Sequence, residues 1–382
     1  MQDPTLQCKL FLRTMATNEG AAVTIEVQAS SGPYPVLIAP RLIEHLGDLL
    51  DERGLAGPRF VVTSPLVWRL HGPAIGAALP GADVIEVPDG ERHKTLHTVQ
   101  RIYDALLRGR AERGCTLVAV GGGVIGDMAG FAAATYLRGI GLVQAPTTLL
   151  AQVDASIGGK VGVNLAWGKN LVGSFYAPRL VVTDPVVLGT LSRREFRAGL
   201  YEVIKYGVAC SRDLFDRLQR DLPEVARQRS AAAATPIIAE CCRIKAAIVS
   251  QDEREAGARR VLNYGHTVGH AIEALTGYRR FKHGEAVGWG MLAAGILAVD
   301  RRLLPRRDFA AMRALIMQLG PLPPIADLTA SHVIDAMQRD KKVAGGRLHF
   351  VLPAGIGAAT LVNDLTGAEV GSALERVGFQ AG

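Results

Sequence analysis

The stretch that decides the fold is TLVAVGGGVIGD, residues 116–127, an apolar run that leads directly into a glycine-rich turn. Residues 116–120 predict a buried strand, and Met128 and Phe131 continue after the turn at helical spacing. A strand, a tight glycine turn and a helix in this order are typical of dinucleotide sites, because backbone N–H groups and the helix amino terminus then face a pyrophosphate. The letters match G-x-G-x-x-G. However, residues 142–146 contain no acidic residue for the ribose, where a standard Rossmann motif places one.

Strand and helix patterns alternate around this turn. Short apolar or alternating runs predict strands at residues 23–27, 34–38, 60–63 and 83–87. Residues 96–108 have helical spacing, so the first half of the chain predicts an α/β domain with a mainly parallel sheet. After Leu188 the pattern is helical, and residues 348–352 are the main strand-like run there.

Composition and charge limit the class of protein. The chain has 382 residues, 48% of them hydrophobic and 21% charged, as in folded globular proteins. A net charge of +7 permits an anionic partner, but aromatic residues make up only 5% and no nucleic-acid-binding motif is found. Five cysteines, with a vicinal pair at Cys241 and Cys242, do not suit a disulfide framework. Since no apolar stretch is long enough to span a membrane, we expect a cytoplasmic protein.

Two further glycine-rich segments, DASIGGK at residues 154–160 and GKN at residues 168–170, invite comparison with a phosphate-binding P-loop. They do not match it, because Asp154 replaces the first glycine and Val161 follows the lysine. Lys160, Lys169 and Asn170 therefore remain as polar anchors that loops could present to an anion. Solvated loop lysines are the alternative interpretation.

The segment NYGHTVGH, residues 263–270, places His266 and His270 on one face of a predicted helix. It lacks the glutamate of H-E-x-x-H, but His283 and Glu202 extend the set of possible metal ligands. Histidine with carboxylate suits a catalytic zinc, and spacing alone does not choose among the four. The alternative is an i,i+3 ion pair of Glu202 with Lys205 and structural histidines.

Several cations accompany these residues in the sequence, namely Lys205, Lys245, Arg259, Lys341 and Lys342. If the fold gathers them in one cleft, they would suit a substrate with two or more anionic groups.

Taken together, the motifs resemble the 3-dehydroquinate synthase family. The similarity runs from about residue 23 to 365 and includes YLRG at 136–139, EVIK at 202–205, HGE at 283–285 and RDKK at 339–342. The sequence pattern predicts a flexible extension over residues 1–22 and a domain boundary near residue 190. The resemblance implies that residues 23–190 form an NAD-binding α/β domain and residues 191–382 an all-α metal- and substrate-binding domain. It also implies an active site between the two domains and a homodimer.

The implied reaction converts 3-deoxy-D-arabino-heptulosonate 7-phosphate into 3-dehydroquinate and phosphate, in the shikimate pathway of aromatic amino acid and chorismate biosynthesis. NAD+ would take a hydride from the substrate and later return it, so the enzyme is a lyase without net redox change. A divalent metal, zinc or alternatively cobalt, would lower the pKa of the hydroxyl that is oxidised.

The resemblance also assigns roles to residues. The implied metal ligands are Glu202, His266 and His283. The implied catalytic residues are Asp154, Lys160, Lys205, Glu255 and His270. The implied substrate-binding residues are Asn170, Lys245, Arg259, Asn263, Lys341 or Lys342, and Arg138 from the second subunit. The implied NAD contacts are Asp89, Gly90, Glu91, Arg92, His93, Lys94, Gly122, Gly123, Val124, Ile125, Gly126, Asp127, Thr147, Thr148, Lys160, Lys169, Val187, Leu188, Gly189 and Thr190.

One position departs from the family pattern. A predicted strand ends in Thr63 and Ser64, where the family more often supplies Asp or Asn to the adenosine ribose. This departure affects the expected geometry of the ribose contact.

The sequence also allows three alternative functions to be compared. Related cyclases act on sugar phosphates without a carboxylate, such as sedoheptulose 7-phosphate, and Lys245 and Arg259 argue against them because buried cations that face no anion are costly. A polyol dehydrogenase would release NADH, and a noncatalytic binding module would lack a ligand or a pocket cation. The sequence therefore favours a working dehydroquinate synthase.

Overall fold

A computed structural model describes residues 22–341 and 349–381, without the side chains of residues 339–341. By their internal contacts these residues form two compact units. The first holds the described residues up to Ser192 together with Arg229–Arg254, and the second holds Arg193–Gln228 and the described residues from Glu255 onward. The domain boundaries expected from the sequence stay predictions, and residues 1–21 of the expected extension lie outside the described part.

The described residues of the first unit form nine strands, and the first five of them lie where the sequence predicts strands. The nine strands are β1 Val23–Val27, β2 Tyr34–Ile38, β3 Arg59–Thr63, β4 Asp83–Glu86, β5 Thr116–Gly121, β6 Gly141–Pro146, β7 Lys160–Leu165, β8 Gly168–Phe175 and β9 Leu180–Thr183. The second unit contains β10 Phe350–Pro353 and β11 Ala359–Val362, an antiparallel pair.

Twelve α-helices complete the described residues. Those of the first unit are α1 Leu46–Asp51, α2 Pro65–Ala78, α3 Leu96–Arg108, α4 Gly123–Thr135 and α7 Ala231–Gln251. Those of the second unit are α5 Arg193–Cys210, α6 Arg212–Gln228, α8 His266–Leu275, α9 His283–Asp300, α10 Arg306–Gln318, α11 Ala330–Lys341 and α12 Gly367–Val377. No helix of the described chain combines the length and the apolar character that a membrane crossing requires.

The sheet of the first unit has seven strands in the order β1-β2-β9-β6-β5-β3-β4. All neighbours pair in parallel except β1 and β2, which form the antiparallel pair at one edge. Every residue of β5 is buried, because alternate side chains enter the cores on opposite faces. Leu117 and Ala119 face one core, and Val118 and Val120 face the other. The predicted α/β class is confirmed.

The glycine turn after β5 has the predicted strand-turn-helix form, with Gly122 as the amino-terminal cap of α4. Close approach, rather than unusual dihedral angles, requires glycine at position 130, while a Cβ at position 126 would force the end of the Gln144 side chain to move. A Cβ on Gly126 would lie 2.7 Å from Oε1 of Gln144, and a Cβ on Gly130 would lie 2.3 Å from Cγ1 of Val161. Helix α4 therefore packs tightly against its neighbours while its amino terminus stays at the strand end.

The segments expected as loops around Lys160 and Lys169 are instead the two strands of a hairpin, β7 and β8. The expectation was wrong because glycines interrupt the alternation of apolar and polar residues that identifies a strand. In β7, Val161 and Val163 are buried against the core that contains α4. The anchors are thus held by strand pairing rather than by flexible turns.

Helix α9 lies at backbone contact with its neighbours in the second unit. A Cβ on Gly284 would lie 1.8 Å from the carbonyl oxygen of Ala198 in α5, and a Cβ on Gly290 would lie 1.8 Å from that of Gly265, the cap of α8. Only glycine allows approaches this close. These two contacts draw α5, α8 and α9 together around the candidate site.

Candidate active site

Three helices of the second unit bring the predicted metal ligands together. Helix α5 carries Glu202, α8 begins at His266 and carries His270 one turn later, and α9 begins at His283. The three imidazole rings lie with centroids 5.1–5.8 Å apart, and each histidine offers a nitrogen within 4.8 Å of the others. The structure thus unites residues that the sequence separates by up to 81 positions.

Glu202 is the central group of this cluster. Its side chain is fully buried, and Oε1 lies 3.8 Å from Nε2 of His266 and 3.6 Å from Nε2 of His283. Within the described residues neither carboxylate oxygen accepts a regular hydrogen bond. Its charge is balanced by an ion pair, since Oε2 lies 2.5 Å from Nζ of Lys205. The i,i+3 pair and the histidine cluster are therefore parts of one arrangement rather than alternatives.

His266 presents an unprotonated nitrogen to this carboxylate. Nδ1 of His266 lies 3.1 Å from the backbone oxygen of Tyr264, a contact that requires the proton on Nδ1 and leaves a lone pair on Nε2. Burial, with the nearby charge of Lys205 and the other two imidazoles, holds the pKa of His266 well below its usual range.

Converging acceptors of this kind fit a divalent cation. Two imidazole nitrogens and Oε1 of Glu202 meet where no donor of the described residues satisfies that oxygen, which is unfavourable unless a cation binds. Two zinc bonds at a tetrahedral angle place their donor atoms roughly 3.4 Å apart, close to the separations from Oε1. Nitrogen and oxygen ligands are also those that zinc and cobalt accept.

Other predicted residues of the second unit lie in and beside the 3-10 segment Ala258–Asn263. Arg259 is only 3% exposed, and Nδ2 of Asn263 donates a short hydrogen bond to Oε1 of Glu255. Glu255 adopts a left-handed backbone conformation with φ of 59°, which is uncommon for a non-glycine residue. Lys341 ends α11 with an undescribed side chain, and Lys342 lies outside the described residues.

In the first unit a polar network joins the glycine turn to the hairpin. Lys94, 4% exposed, contacts Oδ2 of Asp127 and Oδ1 of Asn170, each at 2.5 Å. Asn164 donates to Oε1 of Glu91 and accepts from the backbone N–H of Asn170. Burial raises the pKa of Asp127, and the adjacent Lys94 opposes that shift. The sequence motifs did not identify Asn164, although its position in β7 next to Lys169 and Asn170 was a usable signal.

Asp154 and Lys245 form the second polar contact of the first unit. Asp154 lies in the π-helical turn Ala151–Ala155, a type of turn often found at functional sites. Nζ of Lys245 donates to the backbone oxygen of Asp154 at 2.6 Å and pairs with its carboxylate at short distance. Lys245 is 5% exposed, so this buried cation already faces an anion. Lys160 is exposed at the start of β7.

The remaining expected NAD contacts also belong to the first unit. The 3-10 segment Pro185–Thr190 contains Val187, Leu188, Gly189 and Thr190. Val187 and Leu188 are buried. Residues 91–93 form a short 3-10 turn before Lys94. Thr147 is buried beyond β6, and the methyl group of Thr148 would lie 3.1 Å from a Cβ on Gly122. Ser64 caps α2 by accepting from the N–H of Val67.

Arg138 is exposed in the turn at residues 136–138, of which Tyr136 is buried. Leu137 and Arg138 have φ of 49° and 67°, and Gly139 follows with φ of 127°. The hydroxyl of Tyr176 donates to the backbone oxygen of Ile140 at 2.6 Å and anchors the turn. A strained but anchored turn thus presents Arg138 and the half-exposed Leu137 to solvent.

Comparison with known proteins shows the family to which this chain belongs. Two family models, 3-dehydroquinate synthase N-terminal and 3-dehydroquinate synthase C-terminal, match residues 84–198 and 199–343. The chain belongs to the 3-dehydroquinate synthase family. Among family members, the 3-dehydroquinate synthase of a Nostoc species is 45% identical over 92% of this chain and 99% of its own length. That of a Synechococcus species is 49% identical over 90% of this chain and 96% of its own length.

Solved structures agree with this family assignment. The 2-epi-5-epi-valiolone synthase ValA of Streptomyces hygroscopicus, solved with NAD+ and Zn2+, is 30% identical with a TM-score of 0.82 over 90% of this chain and 96% of its own. A 2-deoxy-scyllo-inosose synthase complexed with carbaglucose-6-phosphate, NAD+ and Co2+ is 26% identical with a TM-score of 0.81 over 93% of this chain and 99% of its own. A probable glycerol dehydrogenase, 20% identical with a TM-score of 0.62, shares the fold alone.

Proposed function

We propose that this chain is a lyase that converts 3-deoxy-D-arabino-heptulosonate 7-phosphate into 3-dehydroquinate and phosphate, with NAD+ and a divalent metal as cofactors. The observation that carries the proposal is identity of 45–49% to 3-dehydroquinate synthases over about nine tenths of the chain. Identity to the valiolone synthase is only 30%, which favours the dehydroquinate reaction over those of sister cyclases. The chain would act in the shikimate pathway.

We assign Glu202, His266 and His283 as the metal ligands. The converging acceptors described above support this set, while His270 has the geometry for a ligand but is assigned to proton transfer and phosphate binding. Bound zinc or cobalt would lower the pKa of the substrate hydroxyl and polarise the ketone formed from it. Lys205 pairs with Oε2 of Glu202, which leaves Oε1 directed at the two imidazoles.

For NAD+ we assign the glycine turn, residues 89–94, Thr147, Thr148, Lys160, Lys169 and residues 187–190. Bound NAD+ would supply the hydride acceptor and donor of the reaction. The amino terminus of α4 offers backbone N–H groups to a pyrophosphate, and Lys94 holds Asp127 and Asn170 in place beside it.

For the substrate we assign Lys205, Asn170, Asn263 and His270, with Lys341 or Lys342, to the phosphate, and Lys245 and Arg259 to the carboxylate. Asp154, Lys160 and Glu255 would contact the ring hydroxyls. Because Lys245 pairs with Asp154, a substrate carboxylate would have to share or replace that partner. The cost of an unpaired cation, which the sequence suggested for Lys245, is therefore removed by a protein carboxylate.

The test is to incubate the purified protein with NAD+, zinc and 3-deoxy-D-arabino-heptulosonate 7-phosphate and to measure phosphate, dehydroquinate and NADH. Equal release of phosphate and dehydroquinate without accumulation of NADH is expected. Activity only on sedoheptulose 7-phosphate would indicate one of the related cyclases instead, and accumulation of NADH would indicate a dehydrogenase.

We further propose a homodimer in which Arg138 reaches the substrate phosphate of the second subunit. Its exposure on an anchored turn beside an exposed Leu137 supports this assignment. Mixing inactive R138A and H266A chains should then restore activity, because each mixed dimer holds one intact site. Statistical mixing predicts about one quarter of the wild-type activity. If the mixture stays inactive although mixed dimers form, Arg138 does not act in the second subunit.

The compartment proposed is the cytoplasm. The described cysteines, Cys115, Cys210, Cys241 and Cys242, form no disulfide with one another, as expected in a reducing compartment. Burial raises the pKa of Cys242 to about 12 and that of Cys210 to about 11, so these thiols are poor nucleophiles.

A further inference from the structure

Glu273 is a buried carboxylate to which none of the assigned roles applies. It lies on α8 seven residues after His266, so that His266, His270 and Glu273 share one face of the helix. Its exposure is 3%, which is rare for a glutamate unless a partner holds it. Oε2 of Glu273 lies 3.3 Å from Nδ1 of His283.

The imidazole of His283 is thus placed between two carboxylates. Nδ1 faces Glu273, and Nε2 faces Glu202 Oε1 at 3.6 Å. A neutral imidazole carries one proton, and a carboxylate partner at Nδ1 draws that proton to Nδ1. The lone pair is then on Nε2, the nitrogen that faces Oε1 of Glu202.

His266 reaches the same tautomer by other means. Its Nδ1 faces the backbone oxygen of Tyr264 at 3.1 Å, which a side-chain substitution does not remove. The two histidines therefore differ in the group that faces Nδ1, which is a neutral carbonyl for His266 and a carboxylate for His283. A carboxylate makes the imidazole a more basic ligand than a carbonyl does, and such outer partners commonly affect metal affinity 10- to 100-fold.

We infer that Glu273 is a positioning residue of the metal site, which fixes the tautomer and orientation of His283 and strengthens it as a ligand. This inference rests on the proposed function, because it takes His283 as a metal ligand. In formal charge, the side chains of Glu273, Glu202 and Lys205 together carry one net negative charge. A divalent cation would leave one net positive charge facing an anionic substrate.

The test measures zinc affinity without substrate, by competition with a chromophoric chelator, in the wild-type protein and two variants. Glu273→Gln keeps an oxygen acceptor but loses the charge, and zinc affinity should fall about 10-fold. Glu273→Met loses both, and affinity should fall about 100-fold. The visible absorption spectrum of the cobalt-loaded protein should shift in both variants, because the ligand field of His283 changes.

A matched control separates positioning from general loss of stability. Ile316→Val removes one methyl group from a fully buried site on α10 of the same unit. It should lower the melting temperature without moving zinc affinity or the cobalt spectrum. NAD+ affinity, which depends on the first unit, should stay unchanged in all variants.

The outcomes distinguish this inference from the proposal beneath it. A wild-type protein that binds no zinc would overturn the metal site, and both ideas with it. Wild-type zinc binding with unchanged affinity and spectrum in Glu273→Gln and Glu273→Met would overturn only the role of Glu273. If Glu273→Met does not fold, the Gln variant alone decides.

Discussion

The two polar clusters of this protein differ in how far the chain satisfies its own charges. In the first unit the cations are paired, since Lys94 holds Asp127 and Lys245 holds Asp154. In the second unit Oε2 of Glu202 pairs with Lys205, but Oε1 accepts no hydrogen bond from the described residues and faces two imidazole nitrogens. The first cluster is stable as built and must exchange partners to bind a ligand. The second needs a cation to become favourable.

The largest effect should come from removing a ligand of the second cluster. His266→Ala should reduce activity to background and lower zinc affinity more than about 100-fold, since a first ligand matters at least as much as an outer partner. Metal content by elemental analysis and turnover by phosphate release are the measurements. His332→Ala, on an exposed position of α11, is the matched control and should change neither. Stoichiometric zinc in His266→Ala would remove that residue from the ligand set.

Removal of a cation from the first cluster should affect the substrate but not the cofactor. Lys245→Ala should lower kcat/KM by about 100-fold, because a charged hydrogen bond of several kcal/mol is lost, while the Kd for NAD+ stays constant. Arg243→Ala on the same helix is the control, since Arg243 forms an exposed pair with Glu240. Equal losses in substrate and NAD+ binding would contradict the carboxylate assignment.

Metal removal should destabilise the protein through the second cluster. At a zinc concentration of about 1,000 times Kd, binding adds about 4 kcal/mol to the free energy of unfolding. A chelator should therefore lower the melting temperature of the wild-type protein in a calorimetric scan. The same chelator should leave His266→Ala unaffected, and an equal fall in both proteins would show that the stabilising metal binds elsewhere.

The smallest effect is expected from an exposed pair that serves as a baseline for the buried ones. Glu369 in the cap of α12 binds Arg301, and this contact lowers the pKa of Glu369 to about 2 from 4.5. A lowered pKa means that the stabilisation is present above pH 4.5 and is lost as pH falls toward 2. Glu369→Gln should flatten the pH dependence of stability in that window, as followed by urea denaturation. An unchanged pH profile would show that the pair adds nothing measurable.

The sequence predicted those parts of the fold that local periodicity determines. Strands β1 and β2 and helix α3 have the predicted bounds, because their alternating or helical patterns are bounded by turn residues. The sequence predicted loops where the hairpin β7–β8 lies, because glycines and lysines interrupt the alternating pattern of Val161 and Val163. The pairing of Lys245 with Asp154 joins residues 91 positions apart, and no local pattern encodes it. The sequence did not predict a role for Glu273 for the same reason, since its partner His283 lies on the next helix.

The contact between Gly284 and Ala198 also limits how this site can evolve. Gly284 directly follows the ligand His283, and even one methyl group there would clash with the backbone of the helix that carries Glu202. Selection at this position therefore acts on the absence of a side chain, and a saturation library screened for zinc retention should recover glycine alone. New specificity in this scaffold must then arise from side chains around the ligands, while the separation of the helices that carry them stays fixed.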